Sequence, residues 1–126
     1  MAKDSRATGI AIEQSVKRYL QKQALDFVEA NFHSRFGEID LIFLDKNVEP
    51  HCLVFVEVRY RADNSFGSAA ESVDYRKQQK LLKTAEVYLQ QKKMTNFNAR
   101  FDVVSANATK DHKFQWYKNA FEASPW

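Results

Sequence analysis

The chain has 126 residues, of which 44% are hydrophobic and 28% charged, the balance of one globular domain spanning 1–126 and not of a disordered segment. No apolar run approaches the ~20 residues of a membrane helix, and Met1 to Ala11 lacks the apolar stretch of a signal peptide, so no membrane partner is expected and the cytoplasm is the default location. A single cysteine, Cys52, excludes an internal disulfide, and with only His33, His51 and His112 beside it there is no zinc-ligand spacing. Any metal here should be held by oxygen. The net charge of +3 is modest, but Arg59, Arg61, Arg76, Lys77, Lys80, Lys83, Lys92 and Lys93 outnumber Asp63, Glu71, Asp74 and Glu86 along the same stretch. That local excess suits a polyanion, and it equally suits the solvated outer face of an amphipathic helix.

Residues 1–8 read as a loose terminus, with Thr8 an N-cap for the helix that follows. From Ile10 to about Lys22, Ile12, Val16, Tyr19 and Leu20 recur at helical spacing and define one buried stripe. Glu13 lies on the margin of that stripe, where a carboxylate is either a solvated edge residue or part of a site. Leu25 to Phe32 reads as a short strand, and Asn31 to Phe36 as a connection.

Gly37 to Arg61 is the segment around which the chain is organised. Gly-Glu-Ile-Asp-Leu-Ile-Phe-Leu and Leu-Val-Phe-Val-Glu-Val-Arg-Tyr-Arg flank a connector containing Asp, Asn and Pro, which describes two strands joined by a long turn. If Leu44 faces Leu53, the antiparallel register carries Asp40 to a position opposite Glu57, with Arg59 two residues on and on the same face. Ile39, Leu41, Phe43, Val54, Val56 and Val58 then point one way, and Ile42, Leu44, Leu53 and Phe55 the other, as in an interior strand pair. Gly37 supplies backbone freedom or a close approach just before the charged positions.

Two carboxylates facing each other on such a ladder, ~5 Å apart at Cβ, repel and lose hydration unless a cation neutralises them. Two readings stand side by side. A hard divalent cation would remove both penalties, because Mg²⁺ favours one or two carboxylates together with waters and phosphate oxygens. Alternatively Arg59, with Arg61, balances Asp40 and Glu57 as an ion-pair cluster.

Ala62 to Ala70, with Asn, Ser and Gly around Phe66, reads as a surface loop whose Phe either stacks over a site or packs back. Asp74 to about Lys92 is the clearest helix, with Leu81, Leu82, Ala85, Tyr88 and Leu89 on its buried stripe. One turn earlier the same stripe reaches Lys77 and Gln78. These either snorkel outward or reach the carboxylates or a phosphate, while Arg76, Lys80 and Lys83 lie further round. Arg100 to Val104 and Phe114 to Tyr117 complete the set as strands separated by a polar turn. The order α-β-β-β-α-β-β predicts an α/β layer on a mixed sheet with flanking helices.

Gly37-Glu38-Ile39-Asp40-Leu41-Ile42, Val54-Phe55-Val56-Glu57-Val58-Arg59, Lys77-Gln78, Lys80-Leu81 and Arg100-Phe101-Asp102-Val103-Val104 together resemble the YraN family of bacterial proteins. The likeness spans Gly9 to Phe121. That family is similar to the PD-(D/E)xK, restriction-endonuclease-like superfamily and to archaeal Holliday junction resolvases. The resemblance implies a single restriction-endonuclease-like domain that acts on or binds DNA, structured or branched, with Mg or Mn as cofactor and a homodimer where a junction is cut symmetrically. By the same resemblance Asp40 and Glu57 are the metal ligands, with Glu13 the acidic residue of the first helix. Arg59 occupies the position of the motif lysine, and Lys77 and Gln78 match the polar pair of the second helix. Arg59, Arg61, Arg76, Lys77, Gln78 and Lys80 become candidate nucleic-acid contacts, and Asp40, Glu57, Arg59 and Lys77 the catalytic set. Two departures stand out: Ile12 where the family often has Gly, and Arg59 in place of Lys. Arginine keeps the charge and grips phosphate, but its pKa above ~12 rules it out as a base. By that resemblance catalysis then rests on metal-bound hydroxide as the nucleophile or passes to Lys77, or it is lost and leaves a nucleic-acid-binding scaffold.

Overall fold

A computed structural model describes residues 5–61, 73–107 and 114–121, with all side chains among them except those of 5–8, 61 and 107. The order is α1 (Ser5–Lys22), β1 (Asp26–Ser34), β2 (Gly37–Asp45), β3 (Cys52–Arg61), α2 (Tyr75–Gln91), β4 (Asn98–Asn107) and β5 (Phe114–Phe121), in the sequence of helices and strands expected. The five strands form one sheet in the order β1-β2-β3-β4-β5. β1 to β3 run as an antiparallel meander, β4 lies parallel to β3, and β5 returns antiparallel to β4. The parallel step is the one that needs a long crossover, and α2 supplies it. Neither helix is long and apolar enough to cross a membrane.

Each helix covers one face of the sheet. Ile12, Val16 and Leu20 of α1 pack with Leu41, Phe43, Val54, Val56 and Val104, while Leu81, Ala85 and Tyr88 of α2 pack with Ile42, Leu53, Phe55, Phe101 and Val103. The alternation in β2 and β3 therefore sorts side chains between two cores, so the central strands are apolar on both faces. Tyr88 meets Phe32 and Phe55 edge-on, with ring centroids 5.0 and 5.8 Å away.

Several boundaries differ from expectation. Thr8 does not cap α1 but lies inside it, since the helix begins at Ser5; Thr beside Gly signals a boundary only as a weak local preference, which packing of the stripe overrides. β1 continues through Ser34 and meets β2 across a two-residue turn, with Ser34 paired to Gly37. The turn is pinned to α2, because Ser34 Oγ accepts from the Phe36 N–H at 3.0 Å and lies 3.1 Å from Thr84 Oγ1. Gly37 has a φ of 155°, a conformation side chains disfavour. Ile39 joins the α2-side core with Ile42 and not the α1-side core with Leu41. Strict alternation is thus broken around Asp40, next to Asn31, whose φ is 55°. β4 runs on to Asn107 and β5 to Phe121, both longer than their apolar centres suggest. Residues 62–70 with Phe66, the first four residues and the last five lie outside the described residues.

Candidate carboxylate site

The register of β2 on β3 is the one read from the sequence, with Leu44 opposite Leu53 and Leu41 opposite Val56. One step further along, Asp40 faces Glu57. There the ladder gives way to a side chain, as the Val58 N–H donates to Asp40 Oδ2 at 2.8 Å. The carboxyls of Asp40 and Glu57 are close enough to share a hydrogen bond. Glu57 is only 6% exposed and has two cations against it, Lys77 Nζ at 3.3 Å and an Arg59 guanidinium nitrogen at 3.6 Å from the same oxygen. α2 thus delivers Lys77 to the strand pair, as one of the two readings of its stripe required.

α1 adds Glu13, and β2 adds Glu38, two residues before Asp40. Oxygen atoms of Glu13, Glu38 and Asp40 all lie within 4.8 Å of one another. With its amide nitrogen turned toward both acids, Asn31 donates to Glu13 Oε1 and Glu38 Oε1, each at 3.2 Å. This orientation follows from the surrounding acceptors. His33 Nδ1 lies 3.5 Å from Glu38 on the exposed side.

The electrostatics reflect this crowding. Burial, then the Glu57 charge, pushes Asp40 up to about 8, against the pull of the Val58 N–H; Glu13 adds to the push. Glu13 is also raised, first by burial and then by Glu38, although Asn31 opposes the shift. Without a cation, Asp40 is therefore largely neutral at neutral pH. A folded pKa above the ordinary 3.8 favours the native state fully below about pH 4, and that advantage is lost as pH rises through about 8. In chelator, Asp40→Asn should match the wild type at pH 4.5 and exceed it at pH 8.5 by on the order of 2–4 kcal/mol in urea unfolding. The same difference at both pH values would contradict this charge assignment.

Asp40, Glu57, Lys77 and Lys80 line one cleft of about 340 Å³ together with Glu38, Phe36, Gly37 and Leu81. Carboxylates and ammonium groups there face a shared space, the arrangement that a cation and a phosphate need side by side. An all-oxygen donor set with raised acids fits a hard divalent cation and not a soft one.

Of the residues singled out from the sequence, Glu13, Asp40, Glu57, Arg59 and Lys77 come together and Lys80 lines the same cleft. Gln78 does not reach the acids with its amide nitrogen, which donates to the Val73 carbonyl at 2.9 Å at the start of α2. Arg76 lies in an adjoining groove, and the Arg61 side chain is outside the description. Glu38 and Asn31 were not singled out. The period-two spacing of Glu38 and Asp40 was the available signal for the first.

A model of the uncharacterised protein family UPF0102 matches residues 12–106, which include every acid of the cluster. The chain is 42% identical over 113 residues to a UPF0102 protein of Hahella chejuensis, covering 90% of this chain and 88% of that one. It is 44% identical over 116 residues to a UPF0102 protein of Vibrio parahaemolyticus, covering 91% and 92%. A UPF0102 protein of Vibrio campbellii is similarly 44% identical over 117 residues, with 91% and 92% covered.

Proposed function

The chain belongs to the uncharacterised protein family UPF0102, the YraN family, and from that premise we propose that it is a divalent-metal-dependent nuclease that cuts structured or branched DNA. The observation that carries this reading is the meeting of Glu13, Glu38 and Asp40 oxygens within 4.8 Å, beside a buried Glu57 engaged by Lys77. The order of helices and strands agrees with the restriction-endonuclease-like core that the sequence resemblance implies.

Glu13, Glu38 and Asp40 would hold Mg²⁺ or Mn²⁺, with Glu57 adjoining. Bound there, such an ion would supply Lewis-acid polarisation of a phosphoryl oxygen. Asp40 must release its proton before it can serve as a ligand, so occupancy rises with pH. Glu57 orients two cations. Lys77, with three donors on a flexible stem, is the group placed to orient water or meet developing charge at the scissile phosphate. Arg59 grips the phosphate backbone and keeps its proton.

The double ion pair on Glu57 favours a second reading, in which the same fold binds DNA without cutting it. One experiment separates the two. Pure protein is incubated with junction, flap and single-stranded DNA in Mn²⁺ or in chelator. Cleavage that needs the metal is expected. Salt-sensitive binding with no cleavage of any substrate would sink the nuclease reading and leave the scaffold.

A further inference from the structure

Next to the carboxylate cleft, and sharing Phe36 and Lys80 with it, lies a groove of about 580 Å³. Arg35, Phe36, Tyr75, Arg76, Lys80 and Lys83 line it, and among the described residues none that lines it is acidic. Arg76, Lys80 and Lys83 recur at helical spacing on α2, so they form one stripe of like charge. Such a stripe disfavours an isolated helix slightly. It also contributes nothing to either core.

The opposite wall is the turn between β1 and β2, pinned to α2 through Ser34 and Thr84. Its Phe36 ring carries the Arg35 guanidinium 4.8 Å from the centroid and the Lys83 ammonium at 5.6 Å. Cation–π contacts of this kind hold both charges at the groove instead of leaving them to sweep solvent. Tyr75, the first residue of α2, is 69% exposed among these cations. A large ring in that position stabilises little. It offers a flat apolar surface beside a row of positive charge.

A row of cations with an open ring at its end is complementary to a strand of unpaired nucleotides. Phosphates track the cations, and a base stacks on the ring. Duplex DNA buries its base faces in its own stack, and an acidic peptide would use the charges but not the ring. We propose that this groove holds a single-stranded segment of nucleic acid, with a base stacked on Tyr75 and phosphates on Arg35, Arg76, Lys80 and Lys83. The proposal extends the nuclease reading, since a strand in the groove would run beside Lys80 into the carboxylate cleft. Its substrate class is then DNA with an unpaired arm.

Fluorescence anisotropy on the full chain in chelator tests the groove without calling on cleavage. The probes are a labelled oligo-dT, an abasic strand of the same length and a blunt duplex. Wild type should bind oligo-dT more tightly than the other two. Tyr75→Ala should weaken oligo-dT binding between about 5- and 150-fold, leave the abasic strand unchanged, and be rescued by Tyr75→Phe. Arg76→Ala should weaken both strands and flatten the salt slope by about 0.7. The groove proposal is overturned if Tyr75→Ala leaves oligo-dT binding intact or weakens both strands alike, or if duplex or polyglutamate competes as well as oligo-dT. Those results would not touch the carboxylate site, and an absence of cleavage would not touch the groove.

Discussion

Asp40→Ala is expected to lower metal-dependent cleavage by roughly 10³-fold or more, and Lys77→Met by roughly 10²–10³-fold. Asp40 is the acid at the junction of the cluster. It touches Glu57 on one side and stands with Glu13 and Glu38 on the other, so its loss would remove a proposed ligand and the link between the two halves. Lys77 is the cation whose stem lets it move between Glu57 and a phosphate. Arg59→Met should chiefly weaken DNA binding, since an arginine that keeps its proton contributes to grip and not to proton transfer. The measurement is single-turnover cleavage at saturating protein, which separates the rate from affinity. If Lys77→Met cuts at the wild-type rate while Arg59→Met does not, the roles of the two cations are reversed.

The largest effect on stability is expected away from the cleft. Asp102 on β4 is fully buried and accepts from Arg100 Nε at 3.1 Å, Trp116 Nε1 at 2.9 Å and the Asn119 N–H at 2.9 Å. Arg100 bridges onward to Asp45 at the end of β2 at 2.8 Å. One half-buried cation between two buried acids thus ties the far end of the sheet together, and no buried side-chain nitrogen or oxygen among the described residues lacks a partner. Asp102→Ala leaves the Arg100 Nε–H, the indole N–H and a backbone N–H without their acceptor at once, and the guanidinium holds only to Asp45. A loss of about 3–5 kcal/mol is expected from denaturant midpoints, against a smaller loss for Asp102→Asn, which keeps one acceptor. Equal stability of Asp102→Ala and wild type would show that the network adds nothing. Burial raises the Asp45 carboxyl, but bonds from Arg100 and Asn47 outweigh it and hold it low. Its contribution is therefore present above the ordinary carboxylate range and lost as pH falls below it.

The two networks differ in how far the sequence exposes them. Asp40 and Glu57 belong to adjacent strands whose register is set by Leu44 and Leu53, so a period of two was enough to set them opposite each other. Lys77 followed from the helical period of the α2 stripe. Glu38 required the same period-two rule, applied to a residue whose face is blurred where Ile39 breaks the alternation. Asn31 was hidden because its left-handed backbone interrupts a strand in a way no local pattern announces. Asp102 draws on Trp116 and Asn119 across a β4–β5 irregularity at Phe101–Val103. The Asn119 N–H bonds there to a side chain, and Asn119 itself has a φ of 51°. Such a bulge is dictated by tertiary hydrogen bonding and leaves no periodic trace.

Either the acids around Asp40 take up a divalent cation, as proposed, or they form a self-contained ion-pair cluster. A crystal soaked in Mn²⁺ at pH 8.5 separates the two most directly, through anomalous scattering. A peak is expected within bonding distance of Glu13, Glu38 and Asp40, absent from Asp40→Asn crystals treated identically. A map without that peak at saturating Mn²⁺, with Lys77 and Arg59 still closed on Glu57, would contradict the proposed cation site.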